Sequence, residues 1–122
     1  MSIENVKVMI VEDDMIIRLD LERALQLAEF NIVATASTGK SAVEKAQVHR
    51  PNVILMDIGL KGSMNGIEAA KLIQQTKETK IIFLSGNSDV KTNEEALKLT
   101  PFSFVIKPVN ASVLVDLLNT LV

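Results

Sequence analysis

The chain holds 122 residues, 48% of them apolar, enough to bury one ordinary core and too few for two. Its 13 basic and 15 acidic residues give a net charge of -2, without the basic excess that would track a phosphate backbone, so no direct contact with nucleic acid is expected. The absence of cysteine excludes disulfides, thiolate metal sites and cysteine nucleophiles, and it fits a reducing compartment. The opening stretch, MSIENVKVMIVEDD, reaches acids after a short apolar run and lacks the longer apolar region and cleavage site of a signal peptide. No other run approaches the length of a membrane span. A soluble, cytoplasmic protein with no membrane partner is expected, forming one domain over residues 1–122.

In chain order, the first strand is VKVMIV from Val6, and a helix follows in which Ile17, Leu21, Ala24, Leu25 and Ala28 share one face. NIVATA from Asn31 reads as the second strand, and the helix after it runs from Gly39 to His49, closed by Pro51. NVILMDI from Asn52 is the third strand, succeeded by a helix from Asn65 to about Lys77. KIIFLS from Lys80 is the fourth, with a helix from Asp89 to Leu99 closed by Pro101; FSFVIK from Phe102 is the fifth, and a last helix starts at Asn110. Most of these strands are too rich in Val and Ile, and too weakly alternating, for a sheet wet on one side. Strict strand-helix alternation implies parallel strands, right-handed crossovers and helices on both faces. The natural candidate is a flavodoxin-like, doubly wound α/β sheet of order 2-1-3-4-5. There the first and third strands are neighbours at the switch point, and ligands bind outside the carboxyl ends of the strands around it.

The chemistry therefore depends on what ends each strand. The first strand ends in Glu12, Asp13 and Asp14, the third in Asp57, the fourth in Ser85 and the fifth in Lys107, followed by Pro108. Each has an ordinary explanation alone: Asp14 can cap the first helix, Ser85 can bond its own turn, and Lys107 can be a solvated lysine. Asp57 is harder to dismiss, because it ends the apolar run NVILM in a central strand. With the first and third strands adjacent, Glu12, Asp13 and Asp57 converge, and three carboxylates in one cleft repel each other unless a cation intervenes. Oxygen ligands without nearby His or Cys favour Mg²⁺. His49, the one histidine, lies at the other edge of the sheet and reads as a helix-end cation or a surface residue.

Together, VMIVEDD, ILMDI ending at Asp57, IIFLSG and FVIKP, in this order and spacing, resemble the receiver domain of two-component response regulators over essentially the whole chain. MDIGLKGSMNGIEAA also resembles a receiver subgroup whose loop reads DIxLxGxxDGIE, with Asn65-Gly66 where that subgroup usually has Asp-Gly. The resemblance implies that Asp57 accepts a phosphoryl group from a histidine kinase or phosphotransfer protein. It implies that Asp13 binds Mg²⁺ directly, Glu12 mainly through water, and the Gly59 carbonyl as a further ligand beside Asp57. Lys107 would reach a phosphoryl oxygen, and its bond to Pro108 would be cis, as is typical of the family. Ser85 matches the hydroxyl switch, with small Gly86 beside it leaving room for a backbone donor. Phe104 takes the aromatic switch position, where ordinary core or surface packing is the competing explanation. The response would be a conformational shift, not continuous catalysis, acting on a partner or on an output domain outside these residues.

The rivals on the same fold fit less well. A flavodoxin or P-loop protein needs a phosphate-binding loop after the first strand, where this chain places three acids. A haloacid-dehalogenase-like phosphatase would place its nucleophile near the first strand with a second Asp two residues later, a spacing EDDM lacks. Two surfaces remain open. Met15, Arg18, Leu19 and Glu22 lie off the buried stripe of the first helix and are either a solvated face or a docking face for a kinase helical bundle. In the last helix Leu114, Leu118 and Leu121 share the sheet-facing stripe, leaving Val113, Val115 and Leu117 beyond it. They make either a broad core-facing helix or a homodimer or partner contact through the fourth helix, fifth strand and fifth helix. The end at Val122 is compatible with a stand-alone receiver or with one cut from a longer regulator.

Overall fold

A computed structural model describes residues 5–86 and 90–121. Its elements alternate: β1 (Lys7–Val11), α1 (Met15–Leu27), β2 (Asn31–Ala36), α2 (Gly39–His49), β3 (Val53–Asp57), α3 (Gly66–Thr76), β4 (Lys80–Ser85), α4 (Val90–Leu97), β5 (Ser103–Ile106) and α5 (Ala111–Asn119). The strands form one parallel sheet in the order β2-β1-β3-β4-β5, the flavodoxin-like arrangement. Asp89, where a helix was expected to begin, and the terminal Val122 lie outside the described residues.

Side chains alternate along a strand, so each central strand feeds two cores. Met9, Val11, Ile54, Met56, Ile81 and Phe83 face one way, into a cluster closed by residues of α2, α3 and α4 such as Ala42, Ile67 and Ala96. Val8, Ile10, Val53, Leu55, Ile82 and Leu84 face the other, against Leu21 and Leu25 of α1 and Leu114 and Leu118 of α5. Ile54, Leu55, Ile82 and Leu84 are fully buried, each contributing roughly 1.5–3 kcal/mol relative to exposure. The edge strands β2 and β5 are mostly half-buried, because each has a neighbour on one side alone.

The helices start where local side chains satisfy free backbone donors. Asp14 Oδ1 caps α1, accepting from the N–H groups of Ile16 at 2.9 Å and Ile17 at 3.2 Å. Asn65 and Glu68 form a reciprocal capping box at the start of α3. Arg50, in the left-handed region at φ 48°, ends α2 before buried Pro51. The structure narrows two surfaces that the sequence left open. Val115 and Leu117 pack partly on the α1–α5 core, so α5 presents a broad inner face because it covers a twisted sheet alongside α1. Val113 alone of the three is exposed, at 45%. Arg18 likewise turns inward: its Nη1 donates to the Glu12 carbonyl at 2.7 Å, so its head group serves the loop beneath.

Candidate functional site

The carboxyl ends of β1, β3, β4 and β5 open onto a cleft of about 740 Å³, lined among others by Glu12, Asp13, Asp57, Gly59, Ser85 and Lys107. Glu12 directly follows β1 and is 1% exposed; Asp57 ends β3 and is 3% exposed. Because β1 and β3 are paired neighbours, one carboxylate oxygen from each of Glu12, Asp13 and Asp57 can be chosen within 4.8 Å of the others. Asp57 Oδ1 accepts from the Gly59 N–H at 3.0 Å and lies 3.2 Å from Lys107 Nζ. The same ammonium sits 3.3 and 3.4 Å from the two Glu12 oxygens, and Asp13 Oδ2 accepts from the Lys61 N–H at 3.3 Å. The Lys107–Pro108 peptide is cis.

These carboxylates are crowded. Burial, reinforced by the hydrogen bond and the negative charge of Asp57 and partly offset by Lys107, pushes Glu12 up to about 7. Burial alone would lower Lys107, but the charges of Asp57 and Glu12 outweigh it and raise its pKa. A single lysine thus leaves the acidic pocket undercompensated. The donor set is oxygen throughout and open to the cleft, so its chemistry fits a hard divalent cation such as Mg²⁺.

Strand alternation separates the remaining residues. Ser85 falls in phase with Ile81 and Phe83, toward the α4 side, whereas Glu12 and Asp57 fall in phase with Ile10 and Leu55. Phe104 packs partly against the α2–α3–α4 core, in register with Phe83. Ser85, 3% exposed, has Oγ 2.6 Å from the Gly86 carbonyl and 2.6 Å from Asn93 Oδ1. Gly86 is exposed beside it, and residues 87–89 lie outside those described. Met15, Ile16 and Leu19 are exposed on α1, the helix whose Ile17 and capping Asp14 line the cleft.

Two contacts were not expected from the sequence. Arg18 holds the Glu12 carbonyl, and Asn93 meets Ser85. Asn93 had one available signal: it stands three residues before Ala96 and therefore shares that helix's sheet-facing side.

A family profile described as response regulator receiver domain matches residues 8–119. The chain belongs to this family. It is 38% identical over 113 residues to a protein-glutamate methylesterase/protein-glutamine glutaminase of Archaeoglobus fulgidus, covering 91% of this chain and 32% of the relative. It is 33% identical over 114 residues to the chemotaxis protein CheY of Thermotoga maritima, covering 93% and 94% of the two chains. The signal receiver domain of a modulated diguanylate cyclase from Desulfovibrio desulfuricans G20 superposes with a TM-score of 0.87 at 31% identity, covering 93% of this chain and 90% of that one. The chain spans about a third of the length of the archaeal relative and nearly all of CheY. As a receiver it is a regulatory phosphoacceptor module of two-component signalling. Among the described residues no helix is long and apolar enough to cross a membrane.

Proposed function

We propose that residues 1–122 act as one cytoplasmic receiver in which Asp57 is the phosphoacceptor. The observation that carries this reading is the Asp57 carboxylate itself: buried at a strand end, with a cation on Oδ1 and two further acids beside it. An Asp57 oxygen attacks phosphorus, the bond from phosphorus to the donor nitrogen of a phosphohistidine breaks, and the electron pair leaves with that nitrogen. Glu12, Asp13, Asp57 and the Gly59 carbonyl would hold Mg²⁺, Asp13 directly and Glu12 mainly through water. Bound there, the ion supplies the positive charge that lets an anionic phosphoryl group approach three carboxylates. The Gly59 N–H fixes the rotamer of Asp57, and Arg18 fixes the backbone of Glu12. Lys107 already rests on Asp57 and Glu12, so it moves a short way onto a phosphoryl oxygen when one arrives.

The exposed Met15, Ile16 and Leu19 of α1 support docking of a kinase or phosphotransfer helix next to this pocket. Exposed Leu97, Ile106 and Val113 lie on α4, β5 and α5 and support signal exit there, to a partner or a second copy. Mass spectrometry after incubation with acetyl phosphate and Mg²⁺ tests the core of the reading. One labile phosphoryl group per chain is expected, lost in Asp57→Asn and in excess chelator. Continuous release of phosphate would instead indicate a phosphatase, and an undiminished adduct in Asp57→Asn would exclude Asp57 as the acceptor.

A further inference from the structure

The Ser85 hydroxyl is committed before any phosphoryl group arrives. It is nearly fully buried, and its two neighbours at 2.6 Å are the Gly86 carbonyl and the side-chain amide of Asn93. A hydroxyl carries one proton and can donate to only one of two oxygens. With the Asn93 amide turned so that Nδ2 faces Oγ, the hydroxyl donates to Gly86 and accepts from Asn93, and both bonds are made. Asn93 is well placed to hold this arrangement: it lies on the face of α4 shared with buried Ala96 and is itself half-buried. Ser85 also lies in phase with the strand residues of the α4-side core, whereas Asp57 lies in phase with those of the opposite core.

We propose that Asn93 is a latch: it retains the Ser85 hydroxyl on the α4 side of the sheet, so that the hydroxyl can serve a phosphoryl group on Asp57 only by letting go of α4. The inference rests on the reading of Asp57 as phosphoacceptor and Ser85 as its hydroxyl partner, and adds the residue that opposes the switch. The Ser85–Asn93 bond exists in one state alone, so its strength sets part of the equilibrium between them. It also gives α4 a direct stake in the chemistry. Release of Asn93 removes one tether from an eight-residue helix that has one buried residue, Ala96.

The test is calorimetric titration with beryllofluoride in excess Mg²⁺, since the chain has no Trp or Tyr to report by fluorescence. Four proteins are compared: the parent, Asn93→Ala, Ser85→Ala and the double variant. Asn93→Ala should bind the phosphoryl analogue roughly 3- to 10-fold more tightly, the equivalent of one neutral hydrogen bond no longer broken. Ser85→Ala should bind more weakly, and in that background Asn93→Ala should change nothing. Unchanged or weaker binding by Asn93→Ala overturns the latch, as does a gain that persists undiminished without the Ser85 hydroxyl. If Ser85→Ala matches the parent, the Ser85 reading fails, and if the parent shows no saturable binding, the phosphoacceptor reading fails.

Discussion

Replacing Glu12 by Gln in the metal-free protein separates the electrostatic cost of the acidic pocket from everything else the fold does. In the unfolded chain Glu12 ionises around 4.5; in the folded protein burial first, and Asp57 second, delay ionisation to about 7. Between these values the unfolded state has released a proton that the folded state still holds. Stability therefore falls as pH rises through this window and levels off above it. At about 1.4 kcal/mol per pH unit, the full displacement amounts to about 3 kcal/mol. Glu12→Gln preserves the size of the side chain and removes its titration. Urea unfolding of both proteins in chelator, from pH 4 to 8, should show the stability of the variant gaining on that of the parent by about 3 kcal/mol between the ends of the range. Adding Mg²⁺ at pH 8 should stabilise the parent more than the variant. Stability curves that run parallel across this range would refute the claim that Glu12 is held protonated by its surroundings.

Three further outcomes follow from the same geometry. Asp13→Ala should weaken Mg²⁺ binding more than Glu12→Ala, by on the order of tenfold or more, because a direct ligand outweighs one acting through water; calorimetric titration in the reverse order would overturn that assignment. Lys107→Ala should bind Mg²⁺ on the order of tenfold more tightly, because its ammonium competes for Asp57 and Glu12 at 3.2 and 3.3 Å, yet lose the phosphorylation-dependent NMR shifts of β5 and α5. Retained shifts would show that the signal takes another route. Gly66→Ala should cost about 3 kcal/mol in urea unfolding, since a Cβ would fall 2.1 Å from the Asp57 carbonyl oxygen, a contact with backbone that cannot rotate away. A near-neutral result would mean that the loop after Asp57 shifts freely.

The pocket was legible because chain topology and composition act together there. Val- and Ile-rich runs too weakly alternating for a wet face imply central strands, and strict alternation with helices leaves few parallel orders; Glu12, Asp13 and Asp57 then meet by register. What stayed hidden depends on side-chain reach. Arg18 looked like a surface cation, since helical phase cannot show that a long guanidinium bends back to the Glu12 carbonyl. Lys107 was expected to meet a phosphoryl group, and nothing in its neighbours along the chain showed it already shared between two acids distant in sequence. Val115 and Leu117 were ambiguous, because how wide a helix face is buried depends on how deeply the helix settles on a twisted sheet.

The Asn65-Gly66 step has a consequence for how the protein ages. Asn-Gly is the dipeptide most prone to cyclise, the glycine nitrogen attacking the asparagine amide carbon to give a succinimide and then aspartate or isoaspartate. Here Gly66 N–H donates to the Ile58 carbonyl at 3.1 Å, and Asn65 Oδ1 accepts from the Glu68 N–H at 2.9 Å. The nucleophile is tied to the chain leaving Asp57, and its target is held as a helix cap. Cyclisation must therefore wait for this loop to open, and the slow appearance of isoaspartate at residue 65 becomes a chemical clock for how often it does.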